Sequence, residues 1–138
     1  MTVRFDWPPG LLTGVEEVDE QHREIFRRAN ALFEACVKGK GAEEAKTLLV
    51  FMQGLVVEHF AAEERLQEVI RYPNRSAHRE SHQFLLRSLS ELSGLLAEEG
   101  AGEELVIQLN RWLVGLLVNH IAGEDHVFAA FVRAAPGR

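Results

Sequence analysis

Five of the six histidines fall into a pattern with one another or with carboxylates at helical spacing: His22; His59 with Glu63; His78 with His82; and His120 with Glu124 and Asp125 four and five residues on. Side chains four apart lie one turn above each other on the same face of an α-helix, so each pair aims two donor atoms at one point. Imidazole suits iron, zinc and copper, and carboxylate favours harder or higher-valent ions. Four such segments converging would enclose two metal ions. At the last segment the spacing alone favours Glu124; a local π-type turn eased by Gly123 would instead bring Asp125 inward, and such turns are frequent at functional sites. The sixth histidine, His126, is on a different face from His120 and reads as a surface residue.

The elements that must position these groups are helical. Apolar residues recur at three and four between breaks at Gly39-Lys40-Gly41, Tyr72-Pro73-Asn74 and Gly100-Ala101-Gly102. The spacing predicts one helix from an Asp19 N-cap to Lys38, with Ile25, Phe26, Ala29, Leu32, Phe33 and Cys36 inward. A second spans about 42–71, presenting Leu48, Met52, Leu55, His59, Glu63, Leu66 and Ile70. A third starts near Arg75 with His78, His82, Leu85, Leu89, Leu92 and Leu96 inward. A fourth spans about 103–133 with Leu105, Leu109, Trp112, Leu116, His120 and Phe131. Connections of about three residues favour antiparallel neighbours, which gives an all-α, up-down-up-down four-helix bundle (19–133) behind an N-terminal arm (1–18) and before a short tail (134–138), one domain in all. In that topology His22 and the His78/His82 pair, near helix starts, meet His59, Glu63, His120 and Asp125, near helix ends, at one end of the bundle.

Each element alone is weak; an i,i+4 histidine pair arises by chance in about one such chain in four. Together, five imidazoles and two carboxylates at one depth of an apolar bundle carry a high desolvation cost that metal cations would offset. The net charge of −6, from 15 Lys and Arg against 21 Asp and Glu, provides no basic stripe for nucleic acid. The longest apolar run, Trp112 to Val118, is too short for a membrane span, and no leader precedes it, so a soluble, cytoplasmic chain without membrane contact is expected. The lone Cys36 excludes an internal disulfide and reads as an inert buried thiol.

With these residues in view, the sequence resembles the hemerythrin family, in its single-domain bacterial form, over nearly its whole length. The resemblance rests on Asp19-Glu20-Gln21-His22-Arg23-Glu24-Ile25-Phe26, His59-Phe60-Ala61-Ala62-Glu63-Glu64, Tyr72-Pro73 with His78-Arg79-Glu80-Ser81-His82, and Asn119-His120-Ile121 with Asp125, and on an arm from Trp7 through Gly14-Val15. It implies a centre of two Fe ions, oxo- or hydroxo-bridged, with His78, His82 and His120 on one iron, His22 and His59 on the other, and Glu63 and Asp125 bridging, which settles on Asp125 over Glu124. It further implies reversible dioxygen binding, as hydroperoxide, on the five-coordinate iron: an oxygen carrier, store or sensor and not an enzyme.

The donor types agree with that implication. Di-iron oxidases of the ferritin-like type use more carboxylates and Glu-x-x-His pairs, a richer anionic set that supports higher oxidation states. No such pair occurs among the inward positions here, so a histidine-rich centre is expected to stop short of oxygenation. Phe60, Leu117 and Ile121 flank ligands and are candidate walls of an oxygen pocket that excludes water. The family's usual Trp four residues before the last histidine is Leu116 here, with Trp112 a turn earlier, so a less filled pocket is expected. The alternative is a di-iron enzyme reducing peroxide or nitric oxide at the same open position. A monomer is expected, with dioxygen as ligand and, for a sensing or delivery role, a signalling or oxygen-consuming protein as partner.

Overall fold

The computed structural model describes residues 11–39 and 41–134. The arm from Trp7 as far as residue 10 and the tail from 135 onward lie outside the described residues. Four long helices make up the chain: α1 (Glu16–Val37), α2 (Ala42–Val69), α3 (Arg75–Glu99) and α4 (Glu103–Ala134). No strand occurs among the described residues. Each helix packs on its two neighbours in the ring α1–α2–α3–α4, the antiparallel bundle that the short connections require. Gly100, at φ 80°, ends α3 in a conformation that a side chain would strain. Arg71 takes the left-handed position after α2, where Tyr72 N–H reaches Gln67 C=O at 2.8 Å.

The core follows the helical period. In α3 the buried set is His78, His82, Leu85, Leu89, Leu92 and Leu96, as the spacing predicts. In α2 the stripe runs instead through Ala45, Leu49, Met52, Val56, His59, Phe60, Glu63 and Gln67. Leu48, Leu55, Leu66 and Ile70 lie half-buried on its flanks. Cys36 is half-buried, not enclosed; Ala35 takes the inner place, and burial pushes the Cys36 thiol up.

Two apolar clusters result. The larger fills the bundle from Ile25 and Phe33 through Met52 and Leu89 to Leu109. A smaller one, Val15, Val18, Tyr72, Phe128, Ala129 and Val132, closes the end where the histidines lie. Two helices, Ala42–Val69 and Glu103–Ala134, are long and apolar enough to cross a membrane by length and composition, although no uninterrupted apolar run in them is long. Both turn buried polar groups, His59 with Glu63 and His120 with Asp125, into the bundle.

The fourth helix is not regular. Segments Arg111–Leu117 and Ile121–Asp125 are π-helical, separated by the α-turn Val118–His120. The second is the distortion that Asp125 requires. The first adds a residue to the turn, so Leu117 is buried and the expected Leu116 is only half-buried. Beyond the second, Phe128 and Val132 turn inward and Phe131 moves to the flank. Trp112 opens the first segment buried, its Nε1–H donating to Leu85 C=O at 3.0 Å and tying α4 to α3.

Asp19 is not the N-cap of α1, and the bundle begins three residues before the expected boundary, at Glu16. One turn inside the helix, the Asp19 carboxylate reaches back to the arm, accepting from Thr13 N–H and Thr13 Oγ1–H at 2.8 Å each and from Gly14 N–H at 3.2 Å. The arm is also held at its carbonyls, where Arg133 donates to Thr13 C=O and His126 bonds Leu12 C=O at 2.9 Å. Gly14, at φ 85°, has the Arg133 side chain where a Cβ would project. Asp19→Ala leaves the buried Thr13 donors without an acceptor and is expected to lower unfolding free energy by about 2 kcal/mol, read by chemical denaturation. A loss within error would show that the arm contributes nothing to the fold.

Candidate metal centre

Burying seven polar groups at one level calls for precise partners, and here they serve one another. His22, His59, Glu63, His78, His82, His120 and Asp125 are all 6% exposed or less. Their donor atoms form two groups, one of Glu63, His78, His82, His120 and Asp125 and the other of His22, His59, Glu63 and Asp125, sharing only the two carboxylates. The sharing is divided oxygen by oxygen. Glu63 Oε1 lies 2.7 Å from His78 Nε2 and 3.3 Å from His82 Nε2, and its Oε2 lies 3.2 Å from His59 Nε2. Asp125 Oδ1 lies 2.9 Å from His78 Nε2 and 3.1 Å from His120 Nε2, and its Oδ2 lies 3.1 Å from His22 Nε2. His22 and His59 bring their Nε2 atoms within 3.0 Å of each other.

These separations are those of donors around a common ion. Two ligand atoms about 2.1 Å from a cation and at right angles to it stand about 3.0 Å apart. Despite the close nitrogens, both oxygens of Glu63, Asp125 Oδ2 and the Nε2 atoms of His82 and His120 have no hydrogen-bond partner. Orphaned buried groups of this kind are costly, and a cation at their focus satisfies them together. The residues therefore fit a pair of metal ions, with five protein donors for one and four for the other.

Outer contacts set the rings. His59 Nδ1–H donates to Gln21 Oε1, and His82 Nδ1–H donates to Glu64 Oε2 at 2.7 Å. Since the acceptors are oxygens, the proton sits on Nδ1 and the Nε2 lone pair is left facing the centre. Glu124, the alternative at the last position, stands outside: its Oε1 accepts from Ser81 Oγ at 2.7 Å and lies 3.7 Å from His120 Nδ1. Gln21, Glu64 and Ser81 were not singled out from the sequence, although Gln21 and Glu64 sit directly beside His22 and Glu63. His126 is half-buried and apart from the donor groups, its Nδ1 2.9 Å from the carbonyl of Ile121 where the π segment begins. Phe60 lies parallel to His82 at 3.9 Å between centroids, so it walls the three-histidine side; Leu117 and Ile121 are buried in the main core.

This constellation can be set beside known proteins. A family model described as the hemerythrin HHE cation binding domain matches residues 13–132. The chain belongs to the hemerythrin family. Bacteriohemerythrin of Stenotrophomonas maltophilia (strain R551-3) is 32% identical over 129 residues, covering 93% of this chain and 81% of the relative. Bacteriohemerythrin of Pseudomonas aeruginosa (strain LESB58) is 33% identical over 128 residues, 92% and 80%. A hemerythrin-like protein of Naegleria gruberi is 31% identical over 121 residues, 88% and 87%. A hemerythrin-type cation site and the buried histidine–carboxylate cluster thus coincide in one stretch of chain.

Without a cation, protons must balance the two carboxylates. Burial pushes His78 down, but Asp125 and Glu63 beside it outweigh that and raise it from 6.5 to about 10. Burial and Asp125 push Glu63 up, yet the imidazoles of His59, His78 and His82 bring it from 4.5 down to about 2. Asp125 is likewise held well below its usual range by His120, His22 and His78 against its own burial. A raised histidine stabilises fully below pH 6.5 and loses that contribution as pH rises through 10; a lowered carboxylate stabilises above pH 4.5 and loses it toward pH 2. The chelator-treated chain is therefore expected to be most stable between those unfolded values and to weaken from pH 7 to 10. Because a cation needs the imidazoles unprotonated, the metal-treated chain should strengthen from pH 6 to 8. Denaturation midpoints across pH, with and without metal, test this; parallel curves would contradict it.

Proposed function

We propose that this hemerythrin-family chain binds dioxygen reversibly at a di-iron centre, with His78, His82 and His120 holding one iron, His22 and His59 the other, and Glu63 and Asp125 bridging both. The observation that carries the reading is the unequal division of imidazoles, three against two, about carboxylates that give one oxygen to each side. Two iron ions held by these residues would supply a pair of electrons and room for one further ligand. His22 and His59 leave that room because no third ring stands on their side among the described residues. Gln21 and Glu64 keep two of the rings aimed inward, so that the frame does not rearrange as charge at the centre changes.

Reversibility depends on what surrounds the centre. Leu117 and Ile121, both buried in the main apolar core, keep water from that inner face of the centre, where it would carry protons in and turn binding into oxidation. The donor set works in the same direction: five neutral imidazoles and two carboxylates stabilise high oxidation states less well than the carboxylate-rich sets of di-iron oxidases. The function proposed is accordingly carriage, storage or sensing of oxygen, with no substrate turned over.

Metal analysis of the purified chain should give two irons, and its visible charge-transfer absorption should vanish on deoxygenation and return with air. Zinc in their place, or a reduced form whose spectrum ignores oxygen, would remove the proposal; sustained consumption of peroxide or nitric oxide would replace it with the enzymatic reading. Glu64→Gln weakens the hold on His82 Nδ1–H without touching a donor atom, and is expected to lower metal affinity about 10- to 100-fold in chelator competition.

A further inference from the structure

The two grooves flanking α3 at the metal end carry opposite charge. Between α2 and α3, a cleft of about 390 Å³ is lined by Arg65, Arg75 and Arg79 together with Glu64 and Glu68. Between α3 and α4, a cleft of about 600 Å³ is lined by Glu80, Ser81, Asn119, Glu124 and His120 and has no lysine or arginine in its lining. A further cleft of about 400 Å³ adjoins it, sharing Ser81 and Glu124 and reaching His78 past Gly123. Both acidic clefts thus lead to histidines of the three-histidine group, at the π segment Ile121–Asp125.

One atom in this seam lacks a partner. His120 is 6% exposed and lines the larger cleft, yet its Nδ1 makes no hydrogen bond. The nearest acid, Glu124 Oε1, stands 3.7 Å from that nitrogen, too far to bond it, and is fixed there by Ser81 Oγ. Nε2 of the same ring faces the centre, 3.1 Å from Asp125 Oδ1. In the metal-free chain a neutral His120 ring that turns its Nε2–H toward Asp125 Oδ1 leaves the Nδ1 lone pair to the cleft, and with the Glu124 carboxylate it forms a resting place for a cation, one ring's width from the donors inside. There is room for it to arrive hydrated, since six waters at about 30 Å³ each occupy about 180 Å³.

Resting on the di-metal reading above, we propose that the seam between α3 and the π segment of α4 is the port through which divalent cations enter the centre. Glu80 at the rim draws the hydrated ion in, Glu124 and His120 Nδ1 replace part of its water, and the His120 proton passes from Nε2 to Nδ1 as the ion moves to the inner donors; the groove on the other side of α3, with three arginines to two glutamates, attracts cations less. The port governs the rate of loading and not the final affinity, because Glu80 touches none of the inner donors.

The test is the uptake of Co²⁺ by the chelator-stripped full chain, followed by cobalt absorption in a stopped-flow mixer. Glu80→Lys should slow uptake about tenfold at low salt, the size of electrostatic steering into a charged cleft, and the difference should shrink as salt screens it. Glu80→Gln should slow it less, Glu124→Gln should slow it as well, and Glu98→Lys, the same charge change at the far end of α3, should leave it unaltered. Both Glu80 variants should reach the occupancy of the unsubstituted chain. Equal rates for Glu80→Lys and Glu98→Lys overturn the port alone, as does a lowered final occupancy in the Glu80 variants. An unsubstituted chain that takes up no Co²⁺ overturns the di-metal reading and the port with it.

Discussion

The constraint on which the rest of the structure depends is the burial of two carboxylates, Glu63 at 3% and Asp125 at 1% exposure, in a bundle otherwise filled with Leu, Phe and Val. An ionised carboxylate taken from water into such a medium costs several kcal/mol unless compensated. Five imidazoles provide that compensation, and only at one level of the bundle do all four helices contribute to it. From there upward the interior has no comparable polar cluster among the described residues, and the larger apolar core supplies the stability that holds the polar level together. Below it, Val15, Val18, Tyr72 and Phe128 shut the end against solvent. The polar level would not persist beside water, where each carboxylate would be satisfied singly and the reason to converge would be gone.

That constraint explains the irregular fourth helix. An α-helix repeats every 3.6 residues, so His120 and Asp125 cannot both face inward on a regular one. The chain gives up α-helical bonding over Ile121–Asp125 to bring them together. The His126 ring lies between the carbonyl of Ile121, 2.9 Å from its Nδ1, and that of Leu12, 2.9 Å from its Nε2, and can donate to either one, so it spans the start of that stretch and the arm. The distortion is thereby stitched to the strap that Asp19 and Arg133 hold across the same end of the bundle.

How much of this could be read from residue order depended on the range of the cause. The helices, their order and the inner face of α3 follow from local period, and His78 and His82 come with that face. The choice of Asp125 was not legible in the spacing, which favours Glu124; it came with the family resemblance, and the π segment supplies its physical reason. The π segment at Arg111–Leu117 left no mark in the spacing, because it exchanges one leucine for another, Leu117 for Leu116. The inner line of α2 depends on how it packs between α1 and α3, which the period of its own residues does not carry. The position of Asp19 was misread for a related reason: an acid before an apolar stripe has the pattern of an N-cap, and only the fold of Thr13 and Gly14 against it shows that its acceptors serve the arm.

The outer contacts make the two halves of the centre electrically unequal beyond the count of imidazoles. His82 donates to a carboxylate, Glu64, and another carboxylate, Glu124, stands near the outer nitrogen of His120, whereas His59 donates to the neutral amide of Gln21. An imidazole whose outer N–H bonds a carboxylate is the more basic donor. The three-histidine group therefore has more rings and, in His82, a more electron-rich one than His59. The two-histidine group has fewer donors and, at His59, a neutral outer partner. Under the reading proposed above, both inequalities would favour a small ligand beside His22 and His59, and the proposed cation port lies on the other side, at His120.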